Sequence, residues 1–212
     1  MSLNMDQRTP EWFAARIGRV TASRVSDVIA KTKAGVSASR ANYLAELVAE
    51  RLTGEKAEGF TNSAMQRGTE LEPLARDAYS FVSGLSVIEE GFVVHPGIHW
   101  AGASPDGLVE ESGLVEIKCP GTAKHIATLR GASIDGKYIT QMQWQMACTG
   151  RDWCDFVSYD PRLPVEMQLH IQRVQRDHGF IDEVEREVIA FLAEVDATVS
   201  DLKSRFQLKE AA

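Results

Sequence analysis

Asp106 follows a proline, and ten residues later Glu116 and Lys118 stand one residue apart. Two carboxylates and an ammonium gathered at one point can hold a divalent cation and handle a water molecule. The surrounding stretch, AGASPDGLVEESGLVEIKCP at 101–120, reads as two short strands with a Glu-Ser-Gly turn at 111–113. Side chains alternate along a strand, so Glu116 and Lys118 project from one face and Ile117 from the other. A hairpin returns Asp106 to the Glu116 side. Asp106 and Glu116 then offer the hard oxygens that Mg²⁺ prefers, and the Ile117 backbone carbonyl can complete the shell. Lys118 can orient an attacking water or neutralise charge growing on a phosphate. The chemistry expected is metal-assisted phosphodiester cleavage. A surface hairpin carrying a solvated ion pair is the alternative that these residues leave open.

A second source of carboxylates is RGTELEP at 67–73, with Glu70 and Glu72. Its helical spacing predicts a helix over 64–83 that starts near Thr69, tolerates Pro73 in its first turn and stops at Gly84. Acids at such a start are also favoured by the helix dipole alone.

The other elements follow from periodicity and punctuation. PEWFAARIG at 10–18 predicts a short helix with Pro10 in its first turn and Gly18 as its stop. A further helix opens at TASRVSDVIA, with Thr21 or Ser23 as N-cap. Residues 31–39 read as a polar loop, and 40–53 as a helix ended by Gly54. Strand character appears at 85–95, 152–160 and 165–174, a helix at 138–149 and a long amphipathic helix at 179–206. The order predicts a single α/β domain of α+β type over 1–212, a mixed central sheet flanked by helices. Residues 1–4, ahead of a second methionine at Met5, read as an expression remnant and are set aside.

Composition is that of an ordinary globular chain, 44% hydrophobic and 25% charged. No stretch approaches the ~20 apolar residues of a membrane span, and no secretory signal pattern opens the chain. Cys119, Cys148 and Cys154 form no paired framework, so reduced thiols and a cytoplasmic setting are expected. The net charge of −7 argues against a nucleic-acid-binding coat and leaves room for a local basic groove. Residues 8–40 carry Arg8, Arg16, Arg19, Arg24, Lys31, Lys33 and Arg40 against Glu11 and Asp27. Residues 181–196 carry Asp182, Glu183, Glu185, Glu187, Glu194 and Asp196 against Arg186. A basic front and an acidic back would steer an anionic polymer to one face.

Taken together, RxGxxTAS (Arg16–Ser23), RGTELEPLAR (Arg67–Arg76), SPDGLV…GLVEIKCP (Ser104–Pro120), YITQMQWQM (Tyr138–Met146) and WCDFVSYDP (Trp153–Pro161) resemble the bacteriophage lambda exonuclease family, YqaJ-type viral recombinases within the PD-(D/E)xK nucleases. The resemblance covers roughly residues 10–161. It implies a restriction-endonuclease-like core and a Mg²⁺-dependent 5′-to-3′ exonuclease on linear double-stranded DNA. Such an enzyme releases 5′-phosphomononucleotides, leaves 3′ overhangs, and serves phage or prophage recombination in a bacterial host. It also implies a homotrimeric ring and a single-strand annealing protein as partner. Carried over by motif, Asp106 and Glu116 are metal ligands with the Ile117 carbonyl, Lys118 is the catalytic lysine, and Glu72 is the carboxylate of a second Mg²⁺, with Mn²⁺ a substitute. Gln141 sits by the site, and Tyr138 packs beside it. Arg16, Thr21 and Ser23 correspond to a 5′-phosphate pocket, as an arginine fork with hydroxyls at a helix start would suit. Met65 falls where relatives place an apolar wedge, and Lys33 where a basic residue reaches the DNA groove. A structure-specific endonuclease of the same superfamily and a non-catalytic DNA-end-binding scaffold are the competing readings.

Overall fold

The computed structural model describes residues 2–3, 5–33, 35–57 and 63–206. In chain order the elements are β1 (Ser2–Leu3), α1 (Pro10–Ala14), β2 (Val20–Thr21), α2 (Val25–Val28), β3 (Lys31–Thr32), β4 (Gly35–Val36), α3 (Ala38–Thr53) and α4 (Ser63–Ser83). There follow β5 (Val87–Ile88), β6 (Phe92–Val94), β7 (Ala101–Ala103), β8 (Gly107–Val109), β9 (Gly113–Lys118), α5 (Thr122–Leu129), α6 (Gly136–Thr149), β10 (Trp153–Tyr159), β11 (Leu169–Gln175) and α7 (His178–Arg205).

The expected mixed sheet is present in the order β11-β10-β9-β8-β5. β9 and β10 are parallel and the other neighbours antiparallel. Parallel neighbours require a crossover, which α5 and α6 supply; α5 had no place in the sequence reading. The alternation of β9 splits its environment. Val115 and Ile117 pack with Ala75 and Tyr79 of α4, whereas Leu114 packs with Met142 and Met146 of α6. The strand is therefore buried on both faces, and its one carboxylate, Glu116, is only 1% exposed.

A second sheet, β1-β6-β7-β2, divides the region that the sequence reads as one hairpin over 99–119. β7 pairs with β6 and, in parallel, with β2, while only β8 and β9 form the hairpin. Ser104–Asp106 thus links the two sheets. Residues 85–95 likewise split, β5 joining one sheet and β6 the other. Ser2–Leu3, set aside on sequence, pairs with Phe92–Val93 at a sheet edge.

Three further expectations are corrected. Helix α4 starts at Ser63, so Glu70, Glu72 and Pro73 lie inside it and the dipole argument for the two acids lapses. Ala75 and Tyr79, both fully buried, hold that helix to the sheet despite the proline. The stretch after Thr21 forms a 3-10 turn at Ala22–Arg24 and one turn of α2, with no side-chain cap from Thr21. The loop at 31–39 contains a small antiparallel hairpin of β3 and β4.

The basic front and acidic back meet each other. Lys31 pairs with Glu187 at 2.6 Å, Arg40 with Glu194 at 2.5 Å, and Arg51 with Asp196. The Arg40 and Arg51 pairs cross the α3–α7 contact, where Tyr43 and Phe191 stack at 5.6 Å, and the Lys31 pair joins β3 to α7. Lys31 and Arg40 of the basic block, and Glu187, Glu194 and Asp196 of the acidic block, are engaged in this packing. Cys119, Cys148 and Cys154 are free thiols. No helix among the described residues is long and apolar enough to cross a membrane.

Candidate active site and its neighbouring pocket

The β8–β9 register decides the geometry. Gly107 pairs with Val115, which brings Asp106 level with Glu116. Asp106 Oδ2 accepts the Ile117 N–H at 2.7 Å, fixing the carboxylate at the strand. Glu116 points to α6. Its Oε1 accepts from Gln141 Nε2 at 2.7 Å, and its Oε2 from Gln145 Nε2 at 2.6 Å. Lys118, on the same face, pairs directly with Glu116. A buried carboxylate without such partners would be strongly destabilising.

Electrostatics follow from this crowding. Burial first, then the charge of Glu116, pushes the Asp106 carboxyl well above its usual range, with Lys118 and the Ile117 N–H opposing. Burial pulls the Lys118 ammonium down, but the charges of Glu116 and Asp106 outweigh it and leave its pKa raised. Lys118 therefore stays a cation. Cys119 is pushed up to about 11 by burial and by Glu72, so no thiolate nucleophile forms there.

Glu72 reaches the same region from α4, and Asp106 feels its charge. Its Oε2 is held by Arg8 at 2.5 Å and its Oε1 by Arg76 at 3.0 Å. Arg8 has a left-handed backbone, φ 69°, unusual for a side chain of this kind. The neighbouring Gln7 donates to the Pro105 carbonyl at 2.8 Å, next to Asp106. The segment before α1 thus closes over this side of the site.

The donor set suits a hard divalent cation. Asp106, Glu116 and the Ile117 carbonyl are all oxygens, and a cation between the two carboxylates would relieve the repulsion that raises Asp106. Among the described residues no three His, Cys, Asp or Glu side chains cluster to cage a metal.

Arg16, Thr21 and Ser23 line one cavity of about 350 Å³, with Trp12, Arg19, Arg24 and Lys56. Glu46 and Glu50 also line it, but Glu46 is taken by Arg24 and Glu50 by the Gly18 and Ala57 N–H groups. Among the described residues no carboxylate pairs with Arg16. Its guanidinium lies 4.1 Å from the Trp12 ring centroid and donates to Ser104 Oγ at 3.2 Å. Burial lowers its pKa to about 10, which still leaves it cationic. A largely buried guanidinium with no carboxylate bonded to it, beside the Thr21 and Ser23 hydroxyls, has the chemistry to hold an anion.

Of the residues expected from sequence, Asp106, Glu116, Lys118 and Gln141 converge, Glu72 stands beside them, and Arg16, Thr21 and Ser23 share the pocket. Met65 lies in the first turn of α4, but its side chain is outside the described residues. Lys33 is exposed in the β3–β4 turn. The sequence reading missed Gln145, although its four-residue spacing from Gln141 places both on one helix face. It also missed Ser104, which joins Arg16 and Trp12 to the link between β7 and β8 that carries Asp106. Arg8 carries no local signal at all. Gln143, between the two site glutamines, turns away to the Gln175 carbonyl and the Asp177 N–H.

Comparisons with known proteins agree with this arrangement. A crystal structure of an alkaline exonuclease from Laribacter hongkongensis is 56% identical, with a TM-score of 0.88 over 94% of this chain and 98% of the other. The same enzyme has been solved in complex with dAMP. A phage-related exonuclease from Haemophilus somnus 129PT is 20% identical and shares the fold, with a TM-score of 0.66 over 87% of this chain and 96% of the other. An uncharacterised protein of Acanthamoeba polyphaga mimivirus is 26% identical over 168 residues, 72% of this chain; the chain spans 29% of that protein's length. The profile of the YqaJ-like viral recombinase domain matches residues 11–152, from the pocket helix through β9 and α6, and the chain belongs to that family.

Proposed function

We propose that this protein is a Mg²⁺-dependent exonuclease that degrades one strand of linear double-stranded DNA from its 5′ end. One observation carries the reading: the Arg16 anion pocket and the Asp106–Glu116–Lys118 centre are joined through Ser104, two residues before Asp106. A terminal phosphate held at Arg16 would set a strand in register with the cutting residues, and this supports 5′-to-3′ polarity and 5′-phosphomononucleotide release. The identity to an alkaline exonuclease supports the reaction class.

The chain's own residues supply most of the chemistry. Asp106, Glu116 and the Ile117 carbonyl would hold Mg²⁺, which when bound supplies Lewis-acid stabilisation of the phosphate and lowers the pKa of a water. Lys118, fixed by Glu116, orients that water and offsets charge on the phosphate oxygens. Gln141 and Gln145 keep Glu116 in place. Asp106 and Glu72 would hold a second ion, and Arg8 and Arg76 occupy the two Glu72 oxygens in this structure. Mn²⁺ would serve at the same oxygens. A homotrimeric ring, an annealing-protein partner and a phage-recombination role in the bacterial cytoplasm are part of the same proposal and rest on the family alone.

The test is digestion of a 5′-phosphorylated linear duplex with Mg²⁺, beside a 5′-hydroxyl duplex, a closed circle and an EDTA control, with the mass of the assembly measured on the same sample. Mononucleotides from the phosphorylated linear duplex alone are expected. Cutting of the circle, or digestion undiminished by EDTA, would overturn the proposal.

A further inference from the structure

Three ammonium groups crowd one aromatic ring beside the cutting centre. Lys118, Lys137 and Lys124 place Nζ at 4.8, 4.9 and 5.1 Å from the Tyr138 ring centroid. They come from the end of β9 and from the first turns of α6 and α5. Phe156 stacks against the same ring at 6.0 Å, giving it a fixed backing. Lys118 is engaged by Glu116. Among the described residues the carboxylate nearest Lys137 by ion pairing is Asp135, at 3.8 Å, beyond hydrogen-bonding range. Lys124 is exposed and has no acidic partner among the described residues.

One cation on an aromatic face gains a modest electrostatic attraction. A second and a third add mutual repulsion, since all three lie within roughly 10 Å of one another, about one screening length in 0.1 M salt. Glu116 answers Lys118, but no carboxylate among the described residues is hydrogen-bonded to Lys124 or Lys137, which leaves a cationic spot on a chain of net charge −7. An anion with several oxygens would satisfy it.

We infer that Lys124, Lys137 and Tyr138 form a subsite for a nucleic-acid phosphate adjacent to the one being cleaved, separate from the Arg16 pocket. The lysines give charge, and the ring gives a wall on which a sugar or base can rest. The inference rests on the nuclease reading above for the identity of the polymer. The phosphate is either a phosphodiester of the intact strand or the phosphomonoester of a released nucleotide.

The test uses the full chain and its Lys124→Ala/Lys137→Ala double variant, with binding of a fluorescent linear duplex oligonucleotide followed in EDTA across a salt series. Losing two phosphate contacts should weaken binding roughly tenfold at 0.1 M salt and flatten the slope of log K against log salt by about 1.8. With Mg²⁺, KM should rise by a similar factor while kcat stays within about twofold. The Lys124→Arg/Lys137→Arg variant should restore both. If inhibition by dAMP weakens in parallel, the site takes a phosphomonoester; if only polymer binding weakens, it takes a phosphodiester. Unchanged affinity and slope in the alanine variant would overturn the inference. Because binding is read in EDTA, an altered slope in a protein that cleaves nothing would sink the nuclease reading and leave the subsite standing.

Discussion

Gln145 donates to Glu116 Oε2 at 2.6 Å and is itself completely buried. Its own Oε1 has no hydrogen-bond partner in the structure, so the side chain is committed to the carboxylate and to little else. Gln145→Leu should lower stability by about 1–3 kcal/mol, because a buried oxygen of Glu116 loses its donor. On a DNA substrate kcat should fall with KM little changed. Urea unfolding and steady-state kinetics check this together; an unaltered kcat would show that Glu116 needs no second amide.

Among the described residues Lys118 is the one cation paired with the strand carboxylate. Lys118→Ala should reduce cleavage by about 10²–10⁴-fold while duplex binding in EDTA is kept within a few-fold. Single-turnover cleavage and fluorescence anisotropy separate the two quantities. Degradation at the parent rate would defeat the assigned role.

Arg16→Ala should erase discrimination between 5′-phosphorylated and 5′-hydroxyl ends, because its guanidinium is the most deeply buried cation lining the pocket. A charge-assisted hydrogen bond is worth about 1.5–3 kcal/mol, so the rate ratio between the two ends should shrink by roughly 10- to 100-fold. Parallel digestion of both duplexes measures it.

Asp160 is fully buried and holds Arg162 through both carboxylate oxygens, with Thr122 as a further donor. The bond to Arg162 holds its carboxyl below the usual range against the opposing effect of burial. A depressed folded pKa contributes stability that is present above the unfolded value of about 3.9 and is lost as pH falls through the folded one. Asp160→Asn should therefore lower the unfolding midpoint at pH 7, and the gap to the parent should narrow steadily below pH ~4. Denaturant titrations at several pH values test the sign.

Gly102 lies where β7 passes under Phe92. A Cβ there would fall 2.7 Å from the Val93 carbonyl oxygen, a backbone atom that no rotamer change can move. Gly102→Ala should cost about 1–3 kcal/mol through overpacking and loosen the second sheet. A lowered melting temperature with the five-stranded sheet retained is the expected result.

Much of the cutting centre was legible in the chain. Period-two alternation put Glu116 and Lys118 on one face, and the hairpin spacing returned Asp106 to them. Gln141, by contrast, came from the family resemblance. The caps at Gly54 and Gly150, both left-handed, also stand where glycine allows that backbone. Element boundaries failed where tertiary packing overrode local preference. Pro73 reads as a first-turn residue, yet α4 runs back to Ser63, and Ala75 and Tyr79 beyond the proline bury against β9.

What the sequence determined by itself is therefore local: which residues carry oxygen, charge or hydroxyl, and which face of a strand or helix presents them. The tertiary structure decided what each one meets. Ser104 is an unremarked serine until β2 and β7 pair and bring Arg16 to it, 88 residues away in sequence. Arg40 and Glu194 belong to blocks that suggest an electric field, but the α3–α7 contact joins them as an ion pair. Lys124 and Lys137 look like solvated helix lysines until α5 and α6 fold to the same side of Tyr138. The physical reason is common to all three. Periodicity constrains a side chain's direction within one element, whereas its partners across the fold are set by long-range packing that no short stretch of sequence encodes.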